Sequence, residues 1–150
     1  MDRHLHNLEG ALADAAGLFE HHRLPELYGG HARGEEDLRP GLYPDACWPQ
    51  AWSSGAIVLL VDTLAGLKPA APLGAALIEP RLPEWLDRVE LSDVRLGEGR
   101  VDLRVRRLAG GEIRCEVPAN SSGLRLYGPG LAEPTAGELE AVRAYILSVP

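Results

Sequence analysis

The chain has 150 residues, 45% hydrophobic and 25% charged, with a formal charge of −7, which is the length of one ordinary globular domain and enough for an apolar core. The acidic balance, with no stripe of clustered lysine and arginine, excludes nucleic acid as a partner, because counterion-release binding needs such a stripe. The longest apolar run, Ala56 to Val61, is far short of the roughly 20 residues that span a bilayer, and MDRHLHNLEG has no apolar signal-peptide region, so the reading is a cytoplasmic chain with no membrane partner.

From Leu5 the apolar residues recur at Leu5, Leu8, Leu12, Ala15, Ala16 and Phe19. This three-and-four spacing predicts an amphipathic helix. It should end near His22, because Pro25 pushes Leu24 into an extended conformation. Gly29-Gly30 and the charged stretch HARGEEDLRPGLYP then read as a long loop. Irregular connections longer than about 12 to 15 residues are uncommon in compact domains and often carry function. A second helix is expected from Pro49 to about Leu64, with proline in its first turn and Gly66 and Pro69 as stop signals. Its sequence, AWSSGAIVLLVDTLAGL, holds one charge, Asp62. A helix apolar nearly all round is normally buried on all sides, and few other segments are present to surround it.

KPAAPLGAALIEPRLPEW reads as a proline-rich joint, after which the apolar period changes to two. VDLRVRRL places Val101, Leu103 and Val105 on one face, EIRCEV answers with Ile113, Cys115 and Val117, and Ala109-Gly110-Gly111 between them reads as a hairpin loop. VELSDVRL keeps Val89 and Leu91 on one face, then shifts to Val94 and Leu96, the mark of a bulge or bend. LRLY at 124–127 adds a short strand. Thr135 followed three residues later by Glu138 has capping-box spacing and predicts a closing helix. Its Leu139, Val142, Ile146 and Val149 should pack onto the sheet or the joint. The expected class is α+β: helix, long loop, buried helix, small antiparallel sheet and C-terminal helix, with no internal repeat.

The chemistry-bearing region is RLPELYGG followed by YPDACWPQAWSSGA. Glu26 stands at a helix end beside Pro25, with Tyr28 close by and two glycines that let a backbone approach a ligand. With Trp48, Gln50 and Trp52 across the loop, the set matches sugar sites, where aromatic faces stack on a pyranose while carboxylates and amides bind hydroxyls. Spacing alone leaves open that Glu26 is an exposed turn residue and that the tryptophans fill core. His4, His6, His21, His22 and His31 lack an HExxH or paired Cys-x-x-Cys pattern and read as solvated, so no metal is expected. The glycines of GLRLYGPG show no phosphate-loop spacing, and no cofactor is expected. Ser53-Ser54-Gly55 lacks a G-x-S-x-G elbow, and Ser53 reads as a helix-start hydrogen-bonding residue. Cys47 and Cys115 read as free thiols.

RLPELYGG…YPDACWPQAWSSGA resembles the C-terminal end of the catalytic domain in bacterial amylo-alpha-1,6-glucosidase and glycogen-debranching-type glycoside hydrolases, which form an (α/α)6 barrel. In that family a Glu followed by an aromatic and a glycine-containing turn precedes a Cys-x-x-Gln-Ala-Trp-Ser segment that starts one of the last barrel helices. The matching residues are Glu26, then Tyr28-Gly29, then Cys47-Trp48-Pro49-Gln50-Ala51-Trp52-Ser53. PEWLDRVELSDVRLGEGRVDLRVRR looks like the β-rich tail that follows the barrel. The resemblance implies that residues 1–68 are the end of a barrel catalytic domain and residues 69–150 a β-rich appendage with a closing helix. It implies hydrolysis of an α-glucan by two carboxyl groups with inversion, one protonating the glycosidic oxygen and the other, about 6.5 to 9.5 Å away, activating water. Glu26 matches the second of these, the general base, with Tyr28, Trp48, Gln50 and Trp52 as substrate-binding residues. The general acid, usually an Asp from the middle of the barrel, has no counterpart in this sequence. Among Glu35, Glu36, Asp37 and Asp45, Asp45 is the best placed to replace it. The chain is therefore expected to be inactive alone, its partners being an oligosaccharide or α-glucan and the N-terminal half of a split glycosidase. The alternative is a non-catalytic carbohydrate-binding or structural remnant that self-associates through its apolar helix.

Overall fold

The computed structural model describes residues 10, 13, 17, 20–30, 34, 41–47 and 50–149. The chain divides into two compact units, Met1–Val61 and Asp62–Pro150.

In the first unit, the helix expected from Leu5 lies largely outside the described residues; Gly10, Ala13 and Gly17 within it are helical. The chain leaves it through a 3-10 turn at Glu20–His22, where His21 and His22 take left-handed φ angles of 57° and 55°. Left-handed residues stop a helix, so the end falls where the sequence puts it. Two short strands follow, Tyr28–Gly29 (β1) and Gly41–Leu42 (β2), paired antiparallel with Tyr28 opposite Leu42 and Gly29 opposite Gly41. The stretch read as one open loop is thus tied at its base by a ladder. A turn closes from the Ala46 N–H to the Tyr43 carbonyl at 3.0 Å, and helix α1, Ala51–Ala65, begins in this unit and ends in the next.

Helix α1 is not buried on all sides, contrary to the sequence expectation. Ser53, Leu60 and Leu64 form a buried stripe, whereas Trp52 and Val58 are 63% and 70% exposed. The run of apolar letters reports what each residue prefers, not how many neighbours are present to cover it.

In the second unit, Gly66 ends α1 with φ +63°, its N–H bonded to the Asp62 carbonyl at 2.7 Å. A Cβ there would stand 2.0 Å from the Glu79 carbonyl oxygen, so only glycine fits. The joint expected over residues 68–85 holds two strands, Leu67–Ala70 (β3) and Ala75–Ile78 (β4), antiparallel across a 3-10 turn. Pro69 is tolerated because β3 lies at a sheet edge. The meander Arg88–Leu96 (β5), Gly99–Arg107 (β6) and Ile113–Asn120 (β7) is antiparallel throughout. Its hairpin, its register shift between Leu91 and Val94, and its buried Val101, Leu103, Val105 and Cys115 all follow the sequence pattern. Strand β8, Arg125–Tyr127, forms as expected but joins β4 in parallel, not the meander, so there are two three-stranded sheets among the described residues where one was expected.

Strand β4 is central to this unit. Ile78 packs with Ala65, Leu82, Leu103, Val105 and Cys115, and Ala76 with Leu96 and Val101, on the side of the meander. Ala75 and Leu77 face the other way, packing with Ala70, Tyr127 and Val142 of the C-terminal helix α2, Ala136–Ser148. A strand covered on both faces reads as the continuous run AALI and shows no period of two, which is why the sequence reads as a joint. Helix α2 starts with the capping box of Thr135 and Glu138. Leu139, Tyr145 and Ile146 support Val142, while Val149 is 51% exposed and leaves the packing role expected of it to Tyr145. The fold is α+β, and no helix among the described residues is long and apolar enough to cross a membrane.

Candidate functional site

Pro25 is buried and holds the segment before β1 in place, so Glu26 sits on a fixed bend. Its Oε2 accepts a hydrogen bond of 2.6 Å from the backbone N–H of Cys47, 21 residues away. Gln50, directly before α1, accepts the Ala51 N–H on its Oε1 at 2.9 Å, which leaves its amide nitrogen to donate. Three donors then act on one carboxylate: the Cys47 N–H holds its pKa below the ordinary 4.5, followed by the Cys47 thiol and the Gln50 side chain. The thiol responds in the opposite sense, pushed up by its bond to Glu26 and by the carboxylate charge, and so stays protonated. A second link runs in parallel: the buried hydroxyl of Ser53 donates to the Pro25 carbonyl at 2.9 Å. Ser53 is thus a hydrogen-bonding residue at the helix start, as the sequence suggested, with its partner 28 residues away; the local bond comes from Ser54, whose hydroxyl reaches the Gln50 carbonyl at 3.5 Å.

The structure brings Glu26, Cys47 and Gln50 together and puts Trp52 on the exposed first turn of α1. Leu27 and Tyr43 add exposed apolar surface in the same unit, and Gly30 has open space where a Cβ would stand. Tyr28 enters through its backbone, as a member of β1. Trp48, Glu35, Glu36 and Asp37 lie outside the described residues, and Asp45 is exposed in the turn before Cys47. Sequence reasoning missed Cys47 as the direct partner of Glu26 and Ser53 as the partner of Pro25, since no periodicity links residues 21 and 28 positions apart. Chemically, the set is an ionised acceptor held by donors, an arrangement suited to binding a hydroxyl.

Two carboxylates of the second unit face grooves but are engaged structurally. Glu79, beside a groove of about 550 Å³, pairs with Lys68 at 2.7 Å and Arg143 at 2.9 Å. Glu138 accepts from the Thr135 backbone and hydroxyl and pairs with Arg125, which takes its pKa down to about 2. Cys115 is free and buried, its thiol pushed up to about 11 by that burial. Among the described residues no group of three or more His, Cys, Asp or Glu stands close enough to hold a metal ion. Comparison of the chain with protein-family models, with curated proteins and with solved structures found no match.

Proposed function

We propose that the chain is the base-bearing C-terminal portion of a glycoside hydrolase acting on α-glucans, of the glycogen-debranching, amylo-alpha-1,6-glucosidase type. Glu26 is the general base, and Tyr28, Trp48, Gln50 and Trp52 bind the sugar. The observation that carries this reading is the Glu26 carboxylate, fixed by the Cys47 N–H and flanked by the Gln50 amide at the mouth of a helix that exposes Trp52. A carboxylate is ionised at neutral pH in any case, and the donors around Glu26 hold its pKa lower still, which fits an acceptor for sugar hydroxyls and makes Glu26 a weaker base than an unperturbed glutamate. In this reading the general acid comes from a second polypeptide segment, in the manner of a split enzyme, and the (α/α)6 barrel is completed by it.

Titration calorimetry with malto-oligosaccharides tests the sugar site. Trp52→Ala is expected to weaken binding about fivefold or more, a stacked aromatic being worth on the order of 1 kcal/mol or more. Trp85→Ala, which removes a tryptophan 45% exposed in the second unit, should leave it unchanged. Equal effects would sink the reading. Hydrolysis is tested with the chain reconstituted with an acid-bearing segment: Glu26→Gln should lower kcat by about 10²-fold or more with sugar binding retained, and unchanged turnover would remove Glu26 as the base.

A second reading is favoured by the exposure of Val58 on the same helix. A structural chain that self-associates there would sediment as a dimer and show no heat with the oligosaccharide.

A further inference from the structure

A carboxylate on a surface bend has several rotamers and a mobile backbone beneath it, and ordering it has an entropic cost. In this unit the bend at Glu26 is tied to the start of α1 by two bonds of different kinds. One is the bond from the Cys47 N–H to the carboxylate itself. The other is the bond from the Ser53 hydroxyl to the Pro25 carbonyl, one residue before Glu26. Ser53 is 8% exposed, on the inward stripe of α1 that continues to Leu60 and Leu64. Its hydroxyl therefore has little access to water and donates to a fixed acceptor. Pro25 has no N–H to donate, and its ring fixes φ, so its carbonyl is the one backbone hydrogen-bonding group this residue offers.

We propose that Ser53 is the positioning residue of the site: its buried hydroxyl, anchored on a helix, grips the Pro25 carbonyl and so sets the direction in which Glu26 leaves the backbone and meets the Cys47 N–H. The proposal deepens the reading of Glu26 as the working carboxylate and rests on it for its functional meaning. Its physical content needs no sugar. Sequence distance makes the grip effective. The two bonds close overlapping loops, Pro25 to Ser53 and Glu26 to Cys47, so the second forms at little further entropic cost once the first has formed. Loss of the Ser53 bond should therefore loosen the Glu26 bond even though the two share no atom. Ser54, next in sequence, has an exposed hydroxyl bonded 3.5 Å from a carbonyl of its own helix turn and supplies the control.

The test is an NMR titration of the full chain. The Glu26 carboxyl carbon is followed against pH, and the hydrogen exchange of the Cys47 amide is measured at neutral pH. In the native chain Glu26 should titrate below its ordinary value. Ser53→Ala is expected to move that titration up toward the ordinary value and to speed Cys47 exchange about tenfold, the scale of a hydrogen bond to a charged group. Ser54→Ala should change neither. Amides of residues 62–149 report whether the rest of the chain stays folded. If Ser53→Ala unfolds the first unit, Ser53→Cys decides: it keeps the buried volume and weakens the donor, and a partial shift of both readouts is expected. A Glu26 titration and a Cys47 exchange rate unchanged in Ser53→Ala, or unchanged in Ser53→Cys where the alanine variant unfolds, would overturn the proposal. A chain that binds no oligosaccharide but shows the Ser53-dependent shift would overturn the glucan reading and leave the positioning role standing.

Discussion

In the unit from Asp62 onward, two sheets meet around Ile78, Leu103 and Val105, none more than 1% exposed, and helix α2 packs on the other face of β4. In the unit that ends at Val61, the buried side chains among the described residues are Pro25, Ser53 and Leu60, and the links between distant residues include the β1–β2 ladder and the polar bonds from Cys47 to Glu26 and from Ser53 to Pro25. Apolar burial has no direction and scales with area, so it holds a shape without fixing any one atom. A hydrogen bond contributes less in net terms but fixes an angle and a distance, and where one partner titrates it answers to pH. The first kind suits a part that must persist. The second suits a part that must place a carboxylate.

The contrast breaks most visibly in the core. Leu103→Ala removes a side chain enclosed by Ile78, Val105 and Cys115, and should cost about 3 kcal/mol of stability, the transfer term plus the cavity left behind. Urea unfolding followed by the amide exchange of Val105 and Cys115 measures it. A loss under about 1 kcal/mol would mean that the site collapses freely and that the meander is not the anchor of the unit.

What the sequence revealed follows the same division. Strands β6 and β7 were legible because each buries one face, so Val101, Leu103 and Val105 alternate with charges. The capping box at Thr135 was legible because it is local to four residues. Strand β4 was not, because cover on both faces erases its alternation, and the prolines around it imitate a linker. The exposure of Val58 was not legible either, since an apolar letter says nothing of what lies opposite. For the site, the residue types at Glu26, Gln50 and Trp52 stood out in RLPELYGG and CWPQAW. That Glu26 meets the Cys47 N–H, and that Ser53 holds Pro25, was not legible, because both bonds join positions more than 20 residues apart.

The smallest expected effect is the sharpest comparison, because acid acts on the polar links and spares the apolar ones. Glu26 and Glu138 both have folded pKa values below the ordinary 4.5, Glu26 through the Cys47 N–H and Glu138 through the Thr135 backbone, the latter down to about 2. A group whose folded value is depressed contributes its stability in full above the unfolded value and loses it as pH falls through the folded one. Acidification below 4.5 should therefore weaken the Glu26 bond and lower the protection of the Cys47 amide relative to an unstructured chain. The Glu138 amide, at the capped start of α2, should lose protection progressively below 4.5, with the loss complete only near pH 2. Val105, enclosed by Leu103, Cys115 and Ile78, has no titrating side chain in its cluster whose charge changes over that range, and its amide should respond only through the stability that Glu79 and Glu138 lend to the whole unit. Hydrogen exchange at a series of pH values from 6 downward separates the three. Loss of protection at Cys47 and Val105 together, at one pH, would mean that the polar links and the apolar core melt as one body. A fall at Cys47 alone would make the carboxylate that places the site also the group through which acid releases it.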